Sequence, residues 1–265
     1  MSKYLWRYMD YAKFMQLLNQ KSLYFCGASN FEDPFEGQYA WGDKGESKFL
    51  ETQKKLHLKY GDRGRMDFTF FMAMNLKTLN DLSKFTYVNC WHQSEHESEA
   101  MWKLYCKNPA EGVLIKTSIE ELQRELESVK EQKLQLKPVK YVKNYWIKHY
   151  NPEADVYFHK RMSFEHEKEF RAIIQHDPWE QGAIAKHGQG VPVNLDNLIK
   201  EVRVSPLSNN VFKDLVEMSL KQHLPSKRVT KSEIELQPNL QVIEQSLPSD
   251  EGFKKVAIKL QGKFA

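Results

Sequence analysis

The chain has 265 residues, 41% of them hydrophobic and 28% charged, which suits one large globular domain or two small ones. A mean hydropathy of −0.66, with no apolar run long enough to span a bilayer, excludes a membrane-spanning helix. The net charge of +4 permits an anionic ligand but falls short of a nucleic-acid-binding composition, and three cysteines without ligand spacing (Cys26, Cys90, Cys106) suit reduced thiols in a cytoplasm.

Residues 1–7 lack the apolar core of a signal peptide, so a cytoplasmic chain with no membrane partner is expected. Tyr4-Leu5-Trp6-Arg7-Tyr8 is dense in residues that suit a pleated surface and predicts a first strand. Asp10 is placed to cap a helix in which Phe14, Leu17 and Leu18 recur at helical spacing. Leu23-Tyr24-Phe25-Cys26 predicts a second strand, broken by Gly27-Ala28-Ser29-Asn30. In Phe31-Glu32-Asp33-Pro34-Phe35-Glu36-Gly37, Pro34 pushes Asp33 towards an extended conformation and Gly37 offers a turn. A rigid loop presenting Asp33 and Glu36 follows. Those acids either shape a pocket, or Asp33 caps local backbone amides while Phe31 and Phe35 pin the loop to the core.

Residues 40–84 are polar, helix-prone and lysine-rich, with an apolar patch at 68–74, and predict a helical insertion or lid whose charges form a solvated face. A strand over 85–92 leads through the acidic turn 93–99 into a helix over 100–106, with Met101, Trp102 and Tyr105 along one side. These aromatics serve either as core or as a ligand platform. His92 and His96, with Glu95 or Glu99, match no metal-ligand frame, so no metal is expected. A strand over 112–116 is followed by an amphipathic helix from Ser118, its cap, to Leu136, and then by a strand over 139–142. Residues 143–163 mix aromatics and bases, including Tyr145, Trp146, Lys148, His149, Tyr150, Lys160 and Arg161. Such a mixture either holds a nucleotide by stacking and phosphate pairing or forms an ordinary surface helix.

The stretch Phe164-Glu165-His166-Glu167-Lys168-Glu169-Phe170-Arg171-Ala172-Ile173-Ile174 carries the most chemistry. Residues i and i+2 of a strand share a face, so Glu167, Glu169 and Arg171 would lie together, with Phe170 and Ala172 opposite. The group is either a solvated strand end with a Glu–Arg pair or a site that binds a cation, positions a hydroxyl or stabilises a developing positive charge. A Pro/Gly-rich loop (177–192), a strand (198–204), a helix (207–223) and a strand (233–236) complete the pattern. The expected organisation is one α+β domain over 1–237 with a mixed or antiparallel central sheet, a helical insertion at 40–84 and a C-terminal extension at 238–265.

Four features together resemble a widespread bacterial domain family of unknown function. They are Trp6-Arg7-Tyr8, the Phe31–Glu36 loop, Met101–Tyr105 followed by Gly112–Ile115, and Glu167–Arg171; Val202–Pro206 matches a later family strand. That resemblance covers about residues 4–236 and implies no activity. The order of elements also resembles, more distantly, ADP-ribosyltransferases of the diphtheria-toxin and poly(ADP-ribose) polymerase type. This second resemblance implies their fold and NAD as substrate, with Arg7, Tyr105 and the pair Glu167/Glu169 on the three signature positions. Ser94 is an alternative to Tyr105, because Arg7 belongs to the branch that uses a serine there.

On that reading Glu169 stabilises the oxocarbenium-like charge that develops as the nicotinamide–ribose bond breaks. Glu167 orients or deprotonates an acceptor. Arg7 holds a ribose or phosphate, with Tyr8 beside it, and Tyr105 or Trp102 stacks on nicotinamide, while Asp33, Glu36 and Arg171 shape the nearby loop. Such an activity suits a toxin or an anti-phage defence effector, with a protein, nucleic acid or water as acceptor. Two other readings stay open. One is a non-catalytic nucleotide- or nucleic-acid-binding module; the other is a metal-dependent nuclease using Asp33, Glu36, Glu167 and Glu169 as oxygen ligands.

Overall fold

A computed structural model describes residues 3–37, 43–127, 133–143, 155–178 and 187–235. Its strands are β1 (Tyr4–Asp10), β2 (Ser22–Gly27), β3 (Thr86–Gln93), β4 (Gly112–Ser118), β5 (Lys133–Pro138), β6 (Lys140–Val142), β7 (His159–Arg161), β8 (Glu169–Gln175), β9 (Gly188–Pro192), β10 (Glu201–Val204) and β11 (Val229–Lys231). The helices are α1 (Tyr11–Gln20), α2 (Asp43–Asp81), α3 (Glu99–Tyr105), α4 (Ile119–Leu126), α5 (Leu195–Leu198) and α6 (Asn210–His223). Nine strands form one sheet in the order β11-β10-β4-β1-β3-β2-β9, with β8 on β3 and β5 on β8. It is mixed but mostly antiparallel, the β10–β11 pair being parallel. The α+β class expected from the sequence is what forms.

β1 shows why the sheet is covered on both faces. Alternation sends Leu5 and Met9 into the main core and Trp6 and Tyr8 into a second cluster with Met101, Trp102 and Leu114. α1 covers the main core with Phe14, Leu17 and Leu18, and α6 adds Phe212, Val216 and Leu220. α3 closes the opposite face, and Ser98 caps it by accepting from the Met101 amide.

The sheet forks at β3. Along one edge β3 pairs with β8 over its length, from Thr86↔Gln175 to His92↔Glu169. The other edge is shared: β2 takes Tyr87 and Val88, and β1 takes His92 and Gln93. Asn89, Cys90 and Trp91 lie between the two partners. Asn89 Nδ2 and an Arg7 guanidinium nitrogen both donate to the Tyr24 carbonyl, at 2.8 and 3.3 Å, and so tie the diverging strands across the gap.

The insertion is helical as expected. α2 breaks at Gly61, whose φ of 67° and ψ of −160° belong to glycine. Its two arms meet: Phe49 stacks on Phe68 at 5.4 Å, and Gln53 bonds Thr69 at 2.6 Å.

Several local expectations are corrected. Asp10 does not cap α1, because its carboxylate accepts from the Lys107 amide at 2.8 Å. The helix from Ser118 stops at Leu126, and Lys133–Pro138 is a strand because Leu134 and Leu136 alternate against β8. The strand expected at 198–204 is β10, preceded by α5. The last strand is Val229–Lys231, while Glu233–Glu235 forms a 3₁₀ turn. The aromatic–basic residues Tyr145, Trp146, Lys148, His149 and Tyr150, and the tail 238–265, lie outside the described residues.

Candidate active site: a cleft at the fork of the sheet

Glu167 is not on the strand with Glu169. It ends a 3₁₀ segment, Met162–Glu167, and Lys168 takes a left-handed φ of 42° before β8 starts at Glu169. The left-handed residue turns the chain so that the two carboxylates still meet at one cation. Lys160 on β7 reaches Glu169 Oε1 at 2.6 Å and both Glu167 oxygens at 3.0 and 3.1 Å, and lies 3.6 Å from Glu36. Arg171 shares a face of β8 with Glu169. Its Nε donates to Glu169 Oε2 at 2.7 Å, one terminal nitrogen donates to the Tyr157 carbonyl at 2.6 Å, and the other donates to Glu36. All five charged groups are buried. Three carboxylates face two cations.

The surroundings drive the two acids of the pair in opposite directions. Burial opposes ionisation of Glu169, but Arg171 and Lys160 outweigh it and hold the carboxyl well below the usual glutamate range. For Glu167, burial and then the neighbouring Glu169 push the carboxyl up, against the hydrogen bond from Tyr105 and the charge of Lys160. The Tyr105 hydroxyl donates to Glu167 Oε2 at 2.7 Å.

The acid pair opens on a cleft of about 550 Å³ at the fork between β1 and β2. Arg7, Tyr8, Tyr105, Glu167 and Glu169 all line it, as do His92, Trp91 and Tyr24. Five of the residues singled out in the sequence therefore converge. They do not come from one face. Trp6, His92 and Glu169 stand in one cross-strand row, so their side chains share a face and Arg7 leaves the other. Arg7 lines the cleft from that opposite face, with its guanidinium 5.7 Å from the Trp91 ring. Among the described residues no carboxylate lies within ion-pair distance of Arg7, and burial lowers its pKa. An unneutralised guanidinium in a cleft is a ready anion site.

The other predicted residues lie elsewhere. Trp102 is fully buried against Tyr8, ring centroids 5.0 Å apart, and its indole donates to Glu97, so it is core rather than a stacking platform. Ser94 holds the 93–98 turn: its hydroxyl accepts from the His96 amide and its carbonyl from the Trp6 indole. It is not among the cleft-lining residues. Asp33 caps the Phe35 amide at 3.1 Å and pairs with Arg161 at 3.0 Å. Glu36 and Arg171 join the loop to β8 behind the cleft. The four carboxylates a metal-dependent nuclease would use are thus engaged by Lys160, Arg161 and Arg171. No His/Cys/Asp/Glu group suited to a metal occurs among the described residues.

Two residues beside the acid pair carry no clear signal in the sequence. Lys160 sat in a run of bases and aromatics, and only the β6–β7 pairing aims it at the acids. His92 reads from the sequence only as a metal-ligand candidate, and the β3–β8 register is what sets it beside Glu169. A second, shallower depression of about 690 Å³, between α1, α4 and α5, contains none of the predicted site residues.

No family model, no curated protein and no solved structure matches this chain. Among the described residues, no helix is long and apolar enough to cross a membrane.

Proposed function

We propose that the chain consumes NAD, as an ADP-ribosyltransferase or NAD glycohydrolase, a chemistry that suits a toxin or an anti-phage defence effector. The observation that carries this reading is the meeting, in one cleft, of an unneutralised Arg7 guanidinium with a carboxylate pair whose pKa values are driven apart. Split acids mark a site able to do two jobs. The cleft volume falls within the range of small-molecule sites.

On this reading Arg7 holds the pyrophosphate, and Trp91, Tyr8 and Tyr24 supply aromatic surface. Glu169 stays ionised and is fixed at both oxygens. Each oxygen retains a lone pair for a ribose hydroxyl, and the carboxylate stabilises the positive charge that appears on the ribose as nicotinamide leaves. Glu167, steadied by Tyr105 and Lys160, orients the acceptor.

The test is nicotinamide release from NAD, followed by chromatography. Wild-type protein should release it, and Glu169→Gln, which keeps the side-chain shape but can accept from only one of Lys160 and Arg171, should slow release by about 100-fold or more. Folded protein that leaves NAD intact and does not bind ADP-ribose would end this reading. The engagement of both Glu169 oxygens by cations favours a second one, a nucleotide-binding module without chemistry. It differs in a single outcome: ADP-ribose binds, nicotinamide is never released, and binding survives Glu169→Gln.

A further inference from the structure

Resting on the NAD reading above, we infer that the acceptor is a neutral O–H group, with water as its simplest case, and that His92 Nε2 takes its proton. The argument starts from what the acid pair can no longer do. Two free carboxylates would recruit a cationic acceptor such as a guanidinium. Here Glu169 is already held by Lys160 and Arg171, and Glu167 by Lys160 and the Tyr105 hydroxyl. A cationic acceptor would have to compete with Lys160 and Arg171 for oxygens they already hold. No oxygen of Glu167 is without a donor: Lys160 binds both, and Tyr105 binds Oε2 as well.

His92 has what Glu167 lacks. It lines the same cleft and stands beside Glu169 in the β3–β8 register, on the same face of the sheet. Its Nδ1 lies 2.7 Å from the Glu167 carbonyl oxygen. A carbonyl only accepts, so Nδ1 carries the hydrogen and Nε2 keeps its lone pair. Nε2 has no hydrogen-bond partner among the described residues. Tyr8 from β1 meets the ring edge-on, Glu167 and Lys168 from the turn and Glu169 from β8 lie beside it, Cys90 from β3 and Tyr105 from α3 line the same cleft, and Lys160 from β7 is bonded to Glu169. Burial lowers the imidazole pKa; the bond to the Glu167 carbonyl opposes this, and Lys168 adds to it. The ring is therefore neutral at physiological pH and free to act as a base.

The step balances without a redox partner. The acceptor oxygen forms its bond to the ribose anomeric carbon. The carbon–nitrogen bond breaks, and its electron pair leaves with nicotinamide. The acceptor proton passes to Nε2, and the resulting imidazolium returns it to solvent.

The test is NAD hydrolysis by His92→Asn, whose amide nitrogen can replace Nδ1 at the Glu167 carbonyl but which has nothing at Nε2. We expect kcat to fall by about 100-fold or more with KM for NAD and thermal stability little changed. The wild-type rate should fall on the acid side with an apparent pKa below that of an ordinary histidine, and His92→Asn should lose that limb. Agmatine, a small guanidino compound, should not accept ADP-ribose faster than water. Activity in His92→Asn within threefold of wild type with the acid limb intact, or preferential modification of agmatine, would overturn the inference and leave the NAD reading standing. Absence of nicotinamide release from wild-type protein would remove both.

Discussion

Arg171 on β8 donates to Glu36, a residue 135 positions earlier in the chain, while its Nε holds Glu169 two residues away. One side chain thus welds the Phe31–Glu36 loop to the start of β8. Arg161 repeats the link a few residues off, pairing with Asp33 and lying over Phe35. The two motifs hold each other in place, and the acid that faces the cleft is fixed from behind.

Buried ion clusters add little net stability, but removing one member leaves the others desolvated and unpaired. Arg171→Met strands Glu36 and Glu169 together. Urea unfolding should show a loss of about 3–5 kcal/mol. In a double-mutant cycle with Glu36→Gln the two costs should be less than additive, since the second change removes a carboxylate the first has orphaned. Additive losses would mean that the pair does not interact.

The acid pair also sets a pH dependence. The folded-state pKa of Glu169 is depressed, so its contribution is complete above the unfolded value of about 4.3 and is lost as pH falls below it. Glu167 acts in the opposite sense. Its pKa is raised, so it costs stability at neutral pH, and that cost is relieved as the carboxyl takes up a proton. Chemical unfolding from pH 7 to pH 3 should therefore show Glu169→Gln flattening the drop below about pH 4.3. Glu167→Gln should instead bring its largest gain near neutrality, offset by loss of the Lys160 contact.

Much of this arrangement could be read from the chain because it rests on local periodicity. β1, β2, β3 and β4, the Asp33 cap and the helical insertion all follow from alternation, turn residues and helix formers. The convergence of Arg7, Tyr105 and Glu169 was legible only as an order of motifs. The fork that lets Arg7 reach the cleft from the opposite face depends on how β3 shares one edge between β1 and β2, which no local pattern encodes. The ladder that makes Lys133–Pro138 a strand was hidden for the same reason: Leu134 and Leu136 fit a helical stripe as well as an alternation until β8 supplies the partner. The αL turn at Lys168 was invisible because lysine rarely adopts it.

Gly61 separates backbone strain from packing. A Cβ there would meet nothing within 4 Å, so Gly61→Ala introduces no clash. Its φ and ψ lie where L residues are strained by roughly 1–3 kcal/mol. Amide exchange should speed up across both arms of α2, while the unfolding of the sheet stays within about 0.5 kcal/mol of wild type, because the strain sits in the insertion. Unchanged exchange in α2 would show that the turn tolerates a side chain.

Arg7 should oppose stability and function to each other. Among the described residues it is desolvated without a carboxylate partner, so Arg7→Met trades that charge for an apolar stem beside Trp91 and should leave unfolding unchanged or slightly strengthened. The same change removes the cation that a pyrophosphate would meet. A charged hydrogen bond contributes about 1.5–3 kcal/mol, so the affinity for ADP-ribose should fall by about 10- to 100-fold. Arg7→Lys, which keeps the charge but loses the forked geometry, should fall between the two. Calorimetric titration with ADP-ribose, set beside thermal unfolding of the same three proteins, checks both halves. If Arg7→Met destabilises the fold and binding follows stability rather than charge, Arg7 is a strut between β1 and β2, held at the Tyr24 carbonyl, and the anion site lies elsewhere.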